Sequence, residues 1–84
     1  MHTILRLPHV KARTGRARSS IYADIQRGLF IAPVAIGARA VGWPSGDVDA
    51  LIAARIAGRS DAEIRALVSR LESARQSSFV PGGR

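Results

Sequence analysis

Gly15, Gly28 and Gly58 each follow a short run of helical character, and a glycine in that place is the left-handed residue that ends a helix. They restrict the chain to short helices with short connections. At 84 residues there is room for one compact domain, and a domain of this size buries only about 60–65% of its extended surface. One small core is therefore the limit. Cysteine is absent, which excludes disulfides, thiolate metal sites and cysteine nucleophiles, and leaves stability to packing and helix caps. A core so small leaves little space for an enclosed active site and favours function at the surface. No stretch approaches the roughly 20 apolar residues that cross a bilayer, and MHTILRLP lacks the apolar run of a signal peptide. These features predict a soluble, cytoplasmic protein.

Between the glycines, the sequence predicts a short first helix from Leu7-Pro8 through Thr14, with the proline at the first helical position, where its missing N–H costs nothing. Ile21 and Ile25 lie four apart on one face of a second helix, from about Arg18 to Arg27. Val34-Ala35-Ile36 and Ala40 to Trp43 flank a glycine-containing turn and predict a hairpin with Arg39 near its tip. Pro44-Ser45-Gly46-Asp47 starts a third helix, with Ser45 as N-cap and Asp47 and Asp49 near its positive end. Its stripe of Val48, Leu51, Ile52 and Ile56 is expected to close a core with Val10, Ile21, Ile25 and Trp43. Ser60-Asp61-Ala62-Glu63 is a capping box that opens a fourth helix, striped by Ile64, Leu67, Val68 and Leu71. Residues 76–84 have no apolar period and are expected to form a flexible tail.

Charge is distributed unevenly between the two halves. Residues 1–43 carry seven cations against Asp24 alone, a balance of +6; residues 44–84 carry six arginines against five acids, a balance of +1. A lopsided basic domain is the electrostatic footprint of a polyanion binder. Two short helices joined by about four residues, the second apolar behind and polar in front, predict a helix-turn-helix that offers its second helix to the major groove of double-stranded DNA. On that helix Arg18, Ser19, Ser20, Tyr22 and Gln26 occupy the outward arc, with Arg18 or Gln26 suited to base edges and Tyr22 suited either to phosphate or to packing on the core. Arg16 in the turn and Lys11 and Arg13 on the first helix are expected at the DNA backbone. Arg39, at the hairpin tip, is suited to a minor groove.

Catalysis has no comparable support. His2 and His9 lack a second ligand at metal spacing, four of the six acids sit in or beside the first turns of helices, and no glycine-rich phosphate cradle is present. The expectation is a non-enzyme with no metal, no cofactor, no small-molecule substrate and no membrane partner. From Asp61 to Arg75 the fourth helix carries three acids and three arginines, so its apolar stripe is expected either to pack on the same domain or to pair with a second copy as a homodimer. An interaction module that docks a partner on this helix is the alternative from another class.

The motifs taken together resemble the AlpA family of prophage transcriptional regulators across about residues 4–58. The resemblance rests on Leu7-Pro8, Thr14-Gly15, RSSIY at 18–22, G-x-F-x-x-P-V-x-I-G from Gly28 to Gly37, RAVGW at 39–43, and DVDA from Asp47. It implies a mainly α fold with a small β-hairpin wing, a MerR-like winged helix-turn-helix related to excisionases. It also implies a sequence-specific regulator acting on an integrase or excision promoter, or an architectural excisionase that bends DNA. Arg18, Ser19, Ser20 and Tyr22 fall on the family's reading helix and Arg39 on its wing. Ala17 departs from the family, which usually has serine or a similar cap there. The domain boundaries expected are residues 1–58 for the winged domain, 59–75 for the last helix and 76–84 for the tail.

Overall fold

Proline and glycine punctuation sets the helix limits in the computed structural model, which describes residues 3–77. Helix α1 (Leu7–Thr14) has Pro8 in its first turn and stops at Gly15, whose φ of 69° is left-handed and whose N–H donates to the Lys11 carbonyl. It begins one residue earlier than expected, because Leu7 already lies within the helix ahead of Pro8. Helix α2 (Arg18–Arg27) stops at Gly28, φ 77°. The glycine and Leu29 N–H groups return to Ile25 and Asp24 carbonyls.

Three strands form an antiparallel sheet in the order β1-β3-β2, with β1 at Ile4–Leu5, β2 at Val34–Ala35 and β3 at Val41–Pro44. The hairpin β2–β3 pairs Val34 with Gly42 and Ala35 with Val41, and Ile36 N–H donates to Ala40 C=O across the turn. Strand β1 is an addition to the two-stranded hairpin that the sequence predicts. It pairs Ile4 with Pro44 and Leu5 with Trp43. Ser45 is also not the N-cap of the third helix. Pro44 holds that position, and Ser45 instead binds the N-terminal strand, donating its N–H to Thr3 C=O at 2.7 Å and accepting from Thr3 N–H at 3.2 Å.

Helix α3 (Ser45–Ile56) and helix α4 (Asp61–Ser77) pack against each other. The capping box of α4 is formed: Ser60 N–H donates to Glu63 Oε1 at 2.9 Å and Glu63 N–H to Ser60 Oγ at 3.2 Å. The helix runs two residues past the expected end at Arg75, and the rest of the predicted tail, residues 78–84, lies outside the described residues, as does His2. Trp43 is fully buried at the centre of the core, and its indole N–H is satisfied by Ile31 C=O at 3.1 Å. Val10, Ile21, Val48 and Leu51 surround it as expected, while Ile25 and Ile52 are only partly buried at the edge and Ile56, in the last turn of α3, lies outside the core, contrary to expectation. From α4, Ile64 and Val68 belong to the same core and Leu67 and Leu71 lie against it. The apolar stripe of α4 is thus occupied by its own domain. None of the helices among the described residues is long and apolar enough to cross a membrane.

Candidate nucleic-acid interface

The turn from Gly15 to Ala17 delivers α2 with its first turn uncovered. Ala17 occupies the N-cap in extended conformation and offers no side-chain cap. The first helical bond runs from Ile21 N–H to Ala17 C=O, so the N–H groups of Arg18, Ser19 and Ser20 have no partner within the helix. Helix start and dipole together make this end attractive to an anion. Ser19 and Arg18 are exposed here and Ser20 is half-buried.

Tyr22 connects this surface to the core. Its ring meets Trp43 edge-on at 6.3 Å between centroids, and the Arg18 guanidinium lies over the ring, 5.7 Å from its centre. A cation held over an aromatic face gains about 0.5–1 kcal/mol at an exposed site, enough to bias where the Arg18 head group rests. Of the two roles expected for Tyr22, the packing one is seen: its ring lies against Trp43 while the residue stays half-exposed. Gln26, one turn further, is exposed.

Two of the expected cations are already engaged. Arg16 Nη2 contacts Asp24 Oδ2 at 2.9 Å, and Arg13 Nη1 contacts Asp49 Oδ1 at 2.9 Å. Asp24 is the one buried polar residue among those described, 4% exposed, with Arg27 also 4.0 Å away. It was absent from the expected site, although its position three residues after Ile21 places it on the inward face of α2. Arg65, also unexpected, crosses from α4 to donate to Arg27 C=O at 2.9 Å and lies over Gly28. Lys11, on α1, is exposed, and among the described residues it forms no ion pair. Arg39 is exposed in the turn between β2 and β3. Trp43 lies within β3, so the hairpin and α2 share the Trp43–Tyr22 contact. No cluster of three candidate metal-ligating side chains occurs among the described residues.

Known proteins give the arrangement its context. The profile of the family described as prophage CP4-57 regulatory protein (AlpA) matches residues 3–56. The chain belongs to the AlpA family. The AlpA match takes in α1, α2, the sheet and α3, and stops before α4. A relative from Enterobacteria phage P4, described as uncharacterized protein ORF88, is 44% identical over 55 residues. That alignment takes in 66% of this chain and 62% of the phage protein, so the chain spans less than two thirds of that relative's length. No solved structure matches the chain. The mainly helical architecture with a small three-stranded antiparallel sheet agrees with the winged helix-turn-helix that AlpA resemblance implied. The family's description is that of a prophage regulatory protein, and the relative comes from a phage.

Proposed function

We propose that the chain is a sequence-specific DNA-binding transcriptional regulator, acting in the cytoplasm on an integrase or excision-related promoter of a phage or prophage. The observation that carries this reading is the uncapped start of α2, where exposed Arg18 and Ser19 flank three N–H groups without helical partners while Ile21 anchors the helix behind them. Arg18 and Gln26 read base edges in the major groove, Ser19, Ser20 and the Tyr22 hydroxyl fix the helix on phosphate, and Arg39 enters the adjacent minor groove from the wing. Lys11 contributes at the backbone. Arg13 and Arg16 reach phosphate only by sharing or leaving their carboxylates, so they are weaker contributors than Lys11.

Selection of bound sequences from a random duplex pool, repeated at several salt concentrations, tests the proposal. The expected outcome is one enriched motif whose affinity falls as salt rises, with a slope of about −0.9 per phosphate contacted. Arg18→Ala is expected to weaken binding about 10- to 100-fold and to relax the preference at the bases it reads, with the circular dichroism spectrum unchanged. Arg39→Ala is expected to lower affinity as well. Absence of any enriched motif would overturn the function, and full affinity in both variants would overturn the residue roles.

A further inference from the structure

Ile56, at the end of α3, is 82% exposed, far more than any other large apolar side chain among the described residues. It borders a hollow of about 280 Å³ between the α1–α2 turn and α3. Leu29, Phe30, Leu51 and Ile52 supply its apolar wall, and Arg13, Arg16 and Arg55 stand around it together with one acid, Asp24, which Arg16 neutralises. The volume falls just below the roughly 300–1,000 Å³ of small-molecule pockets. It suits the anchoring side chains of a bound segment better than an enclosed ligand.

We infer that this groove docks an acidic, amphipathic helical segment of a partner protein. The argument is charge complementarity over an apolar floor. Arg16 is committed to the buried Asp24; Arg55, and Arg13 by exchanging its exposed partner Asp49, favour carboxylates on the rim, and Ile52 and Ile56 reward apolar side chains between them. Arg55 has no ion pair among the described residues, so its charge is fully available. A DNA backbone would use the arginines and gain nothing from Ile56. A second copy of this chain is poorly matched, because it carries thirteen Lys and Arg against six acids. Five of those acids are already engaged: Asp24, Asp47, Asp49 and Glu63 in ion pairs, and Glu72 on the Ala32 N–H. Only Asp61 is left, and two such grooves facing each other would repel. The two residues on which this inference is tested, Ile56 and Arg55, have no part in the DNA-binding reading.

The test is to pan a displayed library of random 16-residue peptides on the purified full chain, then to measure an enriched peptide by fluorescence anisotropy. Enrichment of peptides with acids flanking apolar residues at helical spacing is the expected result. Ile56→Asp and Arg55→Glu, both at exposed positions, should each weaken that peptide about tenfold or more while leaving the melting temperature unchanged. Failure to enrich such peptides, or binding indifferent to both substitutions, overturns the inference. So does a dimer in sedimentation equilibrium that Ile56→Asp dissolves, since a second copy would then cover the face. A lower DNA affinity and a smaller salt slope in Arg55→Glu would assign the groove to phosphate and overturn it equally.

Discussion

Asp24 is an acid placed inside the most basic part of the chain, and its surroundings explain why it is tolerated. Burial of a carboxylate is costly unless a charge partner comes with it, and Arg16 supplies one at 2.9 Å from the turn that precedes α2. The two partners are not equivalent. The Arg16 side chain is 45% exposed, while that of Asp24 is 6% exposed. In Asp24→Asn the arginine turns to water, and the loss is expected to be about 1 kcal/mol. In Arg16→Ala the buried carboxylate keeps only Arg27 at 4.0 Å, and the loss is expected to be larger, about 2–3 kcal/mol. Urea denaturation at neutral pH reads the order directly, and a reversed order would mean that water already reaches the carboxylate. Much at this scale was legible. The i, i+3 step from Ile21 to Asp24 marks an inward position, and Ala17 announces a helix start without a side-chain cap. The pairing of Arg16 was not legible, because an arginine in a basic turn looks like a phosphate contact until the fold brings a buried acid beneath it.

Helices α1 to α4 were legible as elements because each carries its own local signals, apolar residues at helical spacing together with a proline, a glycine stop or a capping box. Strand β1 carries none. Its two residues show no alternation, and their partners on β3 lie about forty positions away in sequence, so only tertiary pairing defines it. The same pairing diverts Ser45 from capping α3 to holding Thr3. Gly42 keeps β1 close: a Cβ there would overlap the Ile4 side chain and lie 3.1 Å from the Leu5 carbonyl oxygen. Ile4 is able to rotate away and the backbone oxygen is not, so Gly42→Ala is expected to cost about 1–3 kcal/mol, with faster amide exchange at Ile4 and Leu5. Protection unchanged at both would show that β1 yields without loss. At the start of α4, Ser60 N–H first, and the Ser60 side chain next, hold the Glu63 carboxyl below its ordinary value; nearby Arg59 adds to this and slight desolvation opposes it. A depressed folded value makes the cap's stabilisation complete above the unfolded glutamate pKa of about 4.3. It is lost as pH falls through the lower folded value. In Ser60→Ala the Glu63 carboxyl, followed by NMR titration, should move back up, and the chain should lose about 1 kcal/mol. A carboxyl that titrates identically in both chains would rule out the reciprocal cap.

The whole molecule depends on a helix that the family match leaves out. The AlpA profile ends at residue 56, yet Ile64 and Val68 from α4 are 0% and 5% exposed in the core that holds Trp43. Burying two such side chains contributes about 3–6 kcal/mol, an upper figure because the unfolded chain already hides some of that surface. Small domains hold only about 5–15 kcal/mol in all. A chain cut after Gly58 is therefore expected to lose most of its helical circular dichroism and its DNA affinity together, so truncation tests folding rather than recognition. A milder change separates the two. Ala32, just before the wing strand β2, donates its N–H to Glu72 Oε2 at 2.8 Å, and its C=O accepts from Arg75 Nη2 at 2.6 Å. Arg75 is joined in turn to Asp47 at 3.6 Å. Helix α4 thus grips the root of the wing through backbone atoms that any residue 32 would offer, which is why no sequence pattern around Ala32 disclosed it. Replacing Glu72 by Ala leaves Ile64 and Val68 in place while freeing one of the two backbone contacts, at a cost of about 1 kcal/mol. If the grip serves the wing, DNA affinity should fall in Glu72→Ala when Arg39 is present and fall little further when Arg39 is already Ala. A double-mutant cycle on the selected DNA site measures that coupling, and strictly additive losses would reduce the grip to a contribution to stability alone.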